Sequence, residues 1–284
     1  MKSDTSASES EKRRGIEAAL AALGHEDDAD IDLAESALLL AAFDDPGLRL
    51  DPYRRHLAAL VRDVGSEGEI SGAAERAERL HAMIAARWGY RGDAEHYDDI
   101  ANASLARVID RRKGLPVALG VLYIHAARGQ GWPMAGLNFP GHFLIRIDGR
   151  GERLILDPFN EGRVLAVDEL RQLLKVAEGN SAELEAAHYE PVGNRDILLR
   201  LQNNLRMRLF RTGEVRRAAA ITESMLRIAP GETALWREAG VLYAEVGEVA
   251  PAISALERFL DTAGSDIARH EAAALLQKLR SRLH

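Results

Sequence analysis

His142 and Asp157 are the residues whose types and spacing best fit chemistry. His142 stands in Asn138-Phe139-Pro140-Gly141-His142-Phe143, and Asp157, fifteen residues on, in Asp157-Pro158-Phe159-Asn160. On adjacent antiparallel strands such a pair can be neighbours on one face. The carboxylate would accept the imidazole N–H and fix its tautomer, leaving the other ring nitrogen to act on a nucleophile or a water. A third stretch, Arg111-Arg112-Lys113-Gly114-Leu115-Pro116, opens an apolar helix whose start is expected to face that nitrogen. The nucleophile cannot be a thiol. The chain of 284 residues has no cysteine, which also excludes disulfides and thiolate metal sites.

The elements that must hold these residues follow from periodicity. From Gly15 to about Arg112 apolar residues recur at helical spacing, as in Leu33, Ala37, Leu40 and Ala41, then Leu57, Leu60, Val61 and Val64. Asp45-Pro46-Gly47 breaks one helix, Asp51-Pro52 reads as a cap with proline at the first helical position, and further helices are expected over 71–87 and 102–112. PVALGVLYIHAARGQ, from Pro116, is apolar on nearly every side, so it reads as a central helix covered all round. Met134–Leu137, Phe143–Ile147 and Leu154–Leu156 read as short strands, the last two joined by Asp148–Gly151. The arrangement is α+β.

The last third repeats itself. LQNNLRMRLFRTGEVRRAAAITESMLRIAP from Leu201 and LWREAGVLYAEVGEVAPAISALERFLDTAG from Leu235 match at an offset of 34 residues, the tetratricopeptide period. Gly213/Gly247 and Ala218/Ala252 supply the small residues that close packing of a helical hairpin requires. A helix over 267–283 is expected to cap the array. Charge divides at the same place: residues 195–284 carry net +3 and residues 1–194 net −10, within a total of −7. That balance argues against a nucleic-acid partner. Arginines, Arg206 and Arg217 among them, crowd the first repeat. They read either as a solvated helix face partly paired with the acidic first domain or as a groove for an acidic peptide.

RRKGLPVALGVLYIHAARGQGWPMAGLNFPGHFLIRI followed by LILDPFNEG resembles the transglutaminase-like superfamily. With WGYRGDAEHYDDIANASLARVIDRRKG ahead and repeats behind, roughly residues 30–265 resemble the bacterial SirB-type proteins. The resemblance implies a helical N-terminal part on a transglutaminase-like (papain-like) core with a small antiparallel sheet, then an all-α repeat segment. It puts His142 and Asp157 where the catalytic histidine and aspartate stand. In thiol-active relatives the cysteine occupies the first turn of the buried helix. Counting back from Gly131-Trp132-Pro133 puts that turn near Pro116, where Val117 and Ala118 are equally inert.

The expected division is a disordered tail over 1–14, a transglutaminase-like domain over 15–194 and a repeat domain over 195–284. Lys113 and Arg112 read as surface charge or as an anion site at the helix start. Asn138 is a binding candidate, Asn102 a helix cap or a binding residue, and the tryptophans packing residues. Histidines at metal-ligand spacing and a glycine-rich phosphate loop are missing, so neither metal nor cofactor is expected. Residues 1–14 lack an apolar signal core and no window is long and apolar enough to span a membrane, so a cytoplasmic protein is expected. Two functions compete. One is a non-catalytic scaffold whose repeats bind a protein or peptide. The other is a hydrolase or lyase with His142 as general base oriented by Asp157. The repeats could also serve only as a structural cap.

Overall fold

The computed structural model describes residues 2–66, 68–262 and 266–281. The chain runs through α1 (Lys2–Leu23), α2 (Leu33–Asp44), α3 (Leu50–Val64) and α4 (Ala73–Leu80), which continues as a π-helical segment, His81–Arg87. Then come β1 (Arg91–Gly92), α5 (Leu105–Arg111), β2 (Lys113–Gly114), α6 (Pro116–Arg128), β3 (Met134–Leu137), β4 (Ile145–Gly149), β5 (Glu152–Asp157), β6 (Arg163–Val164), α7 (Val167–Glu178) and β7 (Pro191–Val192). The rest is helical: α8 (Asn194–Arg211), α9 (Val215–Ile228), α10 (Thr233–Glu245), α11 (Val249–Thr262) and α12 (Asp266–Arg280). Among the described residues, no helix is long and apolar enough to cross a membrane.

Chain contacts divide the fold into two compact units, the first comprising Asp27–Ala41 with Leu48–Leu201. Its centre is α6, with every residue from Pro116 to Ile124 buried. A helix without a polar face has to be covered on all sides. Pro116 sits at the first helical position, where its missing N–H costs nothing. Gly120 lets Phe143 approach: a Cβ there would come within 2.5 Å of the Phe143 ring. The antiparallel sheet has the order β6-β5-β4-β3-β7. The β4–β5 hairpin pairs Ile147 with Leu154 and Gly149 with Glu152. Its loop is only Arg150-Gly151, both at positive φ (48° and 78°), the conformation of a two-residue hairpin turn.

The second unit comprises Met1–Glu26, Ala42–Gly47 and Gln202–His284. The hairpins α8/α9 and α10/α11 repeat at the expected offset, and Gly213 and Gly247 turn each one at φ 79° and 78°. Ala218 and Ala252 are fully buried, as close helix packing requires. A Cβ on Gly240 would strike Leu256 at 2.6 Å. α12 packs on α11 through Ala272, Leu276 and Leu279.

The structure departs from the sequence reading in four places. Residues 2–14 begin α1 and are not a disordered tail; Ile16, Leu20 and Leu23 anchor that helix within the unit that holds the repeats. The expected boundary at 194/195 falls at the start of α8, whereas contacts divide the chain at Leu201/Gln202 and group residues 1–26 with the repeats. The helix expected over 102–112 is a 3-10 turn, Ile100–Ala103, followed by α5. α3 starts at Leu50, one residue before Asp51-Pro52.

Candidate functional site

His142 does not lie on a strand. Strand β4 begins at Ile145, and His142 sits in the bend that enters it, its N–H donating to the Pro140 carbonyl at 2.8 Å. Asp157 ends β5, 2% exposed. The two nevertheless meet: His142 Nε2 donates to Asp157 Oδ1 at 2.8 Å. The Phe159 N–H donates to the same oxygen at 2.9 Å, and Asn160 Nδ2 donates to Oδ2 at 2.6 Å. Burial pushes the Asp157 carboxyl up, but the hydrogen bonds from His142, Asn160 and Phe159 outweigh it and hold the group below the usual carboxylate range. His142 is 20% exposed, and its Nδ1 makes no hydrogen bond among the described residues.

The turn after Asp157 is tied to the start of α6. β1 pairs in parallel with β2, Arg91 opposite Lys113 and Gly92 opposite Gly114, and the chain passes from β2 through Leu115 into α6. On the same glycine, the Gly92 N–H donates to the Phe159 carbonyl at 2.9 Å. The Phe159 ring lies where a Gly92 Cβ would be, 2.5 Å away, so only glycine fits. Phe159 also sets its ring edge-on to His142, 6.3 Å between centroids. The turn where a nucleophile would stand is Pro116, Val117 and Ala118, all buried and none able to attack a carbonyl.

The other sequence candidates lead elsewhere. Lys113 faces Glu95 (3.2 Å) and Asp93 (4.0 Å), an ion-pair network and not an open anion site. Arg112, in the left-handed conformation at φ 59°, donates to His56 Nε2 at 2.9 Å and to the Tyr90 hydroxyl, with its guanidinium over Trp88 and Tyr90. Asn102 caps no helix with its side chain. Fully buried, it donates to the His96 carbonyl at 2.7 Å and accepts from Arg111 at 3.1 Å, while its own carbonyl accepts the Leu115 N–H at 3.0 Å. Asn138 pairs its N–H with the Glu190 carbonyl at 3.0 Å. Arg206 pairs with Glu238, and Arg217 with Asp44 (3.0 Å) and Glu214 (2.5 Å), so acids of the same chain take up these arginines.

Sequence reasoning missed several participants. Asp93, Glu95 and His96 bring ligand-type atoms within 4.8 Å of one another. Arg111, 2.8 Å from Asp93, and Lys113 already supply the compensating charge, so a cation would have to displace them. Tyr123 is buried on α6, and its hydroxyl has no hydrogen-bond partner among the described residues. It abuts Gly162, whose Cβ would fall 2.8 Å from Oη. Burial, then the carboxylates of Glu161 and Asp157, push its ionisation up. Asn160 also lines a cleft of about 630 Å³ with His81, Glu161 and Arg163. The one signal for Tyr123 was a hydroxyl inside an apolar run; the rest depend on tertiary contacts.

A buried helix on a small antiparallel sheet, with a histidine–aspartate pair tied to the helix start, is the plan of a transglutaminase-like fold. The chain belongs to the transglutaminase-like superfamily, which it matches over residues 51–203, and it matches the tetratricopeptide repeat over 205–277. It is 33% identical to a protein called UPF0162 from Xylella fastidiosa (strain Temecula1), over 82% of this chain and 85% of that one. It is 31% identical to a UPF0162 protein of Vibrio cholerae, over 85% and 90% of the two chains. Salmonella typhimurium protein SirB1 is 25% identical, over 68% of this chain and 71% of its own.

Proposed function

We propose that the chain is a non-catalytic interaction protein, in which a transglutaminase-like core has kept its histidine–aspartate pair without a nucleophile and the repeats bind a segment of a partner protein. The observation that carries this reading is the first turn of α6, where Pro116, Val117 and Ala118 offer no attacking atom in a chain without cysteine. Loss of the nucleophile from a triad costs about 10⁶ in rate where it has been measured. Support on the repeat side comes from apolar side chains left in solvent. Met207 is 39% exposed, Phe210 45% and Val241 43%, and Met207 and Val241 hold the same position in successive repeats. Such residues in register suit a partner surface.

A second reading has its own observation: the Nδ1 of His142 makes no hydrogen bond among the described residues, while Asp157 holds the other ring nitrogen. This would suit a general base acting on water or a substrate hydroxyl in a hydrolase or lyase. Affinity capture from the source cells separates the two. His142→Ala is expected to retain the same bound proteins as the unaltered chain, and Met207→Asp with Val241→Asp to lose them. Loss with His142→Ala and retention with the repeat variant would overturn the proposal.

A further inference from the structure

The cleft that Asn160 lines, about 630 Å³, lies in the first unit between α4 and the β5–β6 edge of the sheet. Ala74, Ala77, Leu154 and Val164 give it apolar walls, and Val164 is 41% exposed. Two backbone irregularities meet at its rim. The π-helical segment begins at His81, and Glu161 stands in the left-handed region at φ 60° without being glycine. Such irregularities cost stability and concentrate where a fold does more than pack. The His81 Nδ1–H donates to the Glu161 carbonyl at 2.9 Å, which joins the two and leaves Nε2 as an acceptor in the neutral ring. Glu78 and Glu161 make no ion pair among the described residues, while Arg163, the only cation in the lining, is paired with Glu169. An apolar groove thus carries a rim of acceptors.

We propose that this groove docks a segment of a partner protein in which apolar side chains adjoin lysine or arginine. Contact with the walls at Ala77, Leu154 and Val164 supplies the affinity, because burying apolar surface is what drives association. The rim sets the sign of the partner. Charges at the edge of an interface act mainly on partner choice and encounter rate, a role that solvent-exposed groups such as Glu78 and Glu161 can fill. The field of the surrounding chain has the same sign, since residues 1–194 carry net −10. The aliphatic stems of lysine and arginine lie along an apolar wall while their heads reach outward, so one residue type meets both features. Asn160 connects the groove to the histidine–aspartate pair. Its Nδ2 holds Asp157 Oδ2 at 2.6 Å, so a segment seated against Asn160 bears on the carboxylate that orients His142. This surface does not depend on the one proposed for the repeats.

Selection of phage-displayed random peptides on the full chain tests this, with each selected peptide then titrated against variants. Peptides seated in the groove are those that Val164→Asn weakens by about fivefold or more. They are expected to carry lysine or arginine beside apolar residues, and to lose a further part of their affinity in Glu78→Gln with Glu161→Gln and in raised salt. Ala74→Gln, at an exposed helical position in the same wall, replaces Val164→Asn if that chain does not fold. Peptides lost instead with Met207→Asp and Val241→Asp report on the repeats, so the two proposals fail separately. The groove proposal is overturned if no selected peptide depends on Val164 or Ala74, if those that do show no excess of basic residues, or if the double glutamine variant binds them unchanged. Self-association of the chain that Val164→Asn abolishes would put a second copy in the groove and overturn it as well.

Discussion

Asp157 holds three donors at once, from His142, Phe159 and Asn160, so its loss would be felt beyond the imidazole. Asp157→Ala is expected to cost about 1–3 kcal/mol, because it strands buried donors, and urea unfolding measures it. A second residue-scale prediction concerns His56. Its Nε2 accepts from the Tyr90 hydroxyl at 2.6 Å and from Arg112 at 2.9 Å, which requires a neutral ring. Burial, then the Arg112 charge, lower its pKa from 6.5 to about 4, against a weaker opposing pull from Asp110. A depressed pKa contributes stability that is present above the ordinary value of 6.5 and lost as pH falls towards about 4. Thermal melts across that window should show this loss in the unaltered chain and a shallower one in His56→Gln. Equal slopes would contradict the assignment.

At the scale of elements, what counts is how closely α6, β4 and the turn after β5 approach one another. Gly120→Ala would place a methyl 2.5 Å from the Phe143 ring. We expect it to destabilise by about 1–3 kcal/mol and to move the His142 imidazole resonances, since Phe143 adjoins that residue. Retention of both stability and spectrum would show that α6 does not set the loop. The apolar run of α6 and the hairpin strands were legible in the sequence because periodicity and composition report burial directly. The His142–Asp157 pairing was legible as a partnership but not as geometry. Pro140 and Gly141 bend the chain out of strand pairing, so the residues meet across a turn and not across a ladder. Arg112 and Lys113 could not be read at all, since the Tyr90, His56 and Asp93 that claim them come from distant parts of the chain or from loops without a pattern.

Over the whole molecule, the 34-residue repeat was the plainest signal, because both hairpins need the same small residues at the same places. The role of the first residues was hidden. Lys2 to Arg14 is polar enough to look unstructured, yet α1 buries Leu20 completely within the unit that contains the repeats. Leu20→Ala should therefore destabilise that unit by about 2–5 kcal/mol in a calorimetric melt, where a detached tail would show no change. Pairing of Arg217 with Asp44 and of Arg227 with Glu17 has the same origin: acids near the N-terminus lie in one unit with the basic helix. The partner surface proposed for the repeats therefore consists of exposed apolar residues, Met207 and Val241 among them, and not of these arginines.

Whether the histidine–aspartate pair performs acyl chemistry is decided by the initial rate of p-nitrophenyl acetate hydrolysis by the unaltered chain and by His142→Ala. A non-catalytic pair gives equal rates for the two proteins. A rate in the unaltered chain about tenfold or more above that of a folded His142→Ala protein would contradict it and make His142 a working general base.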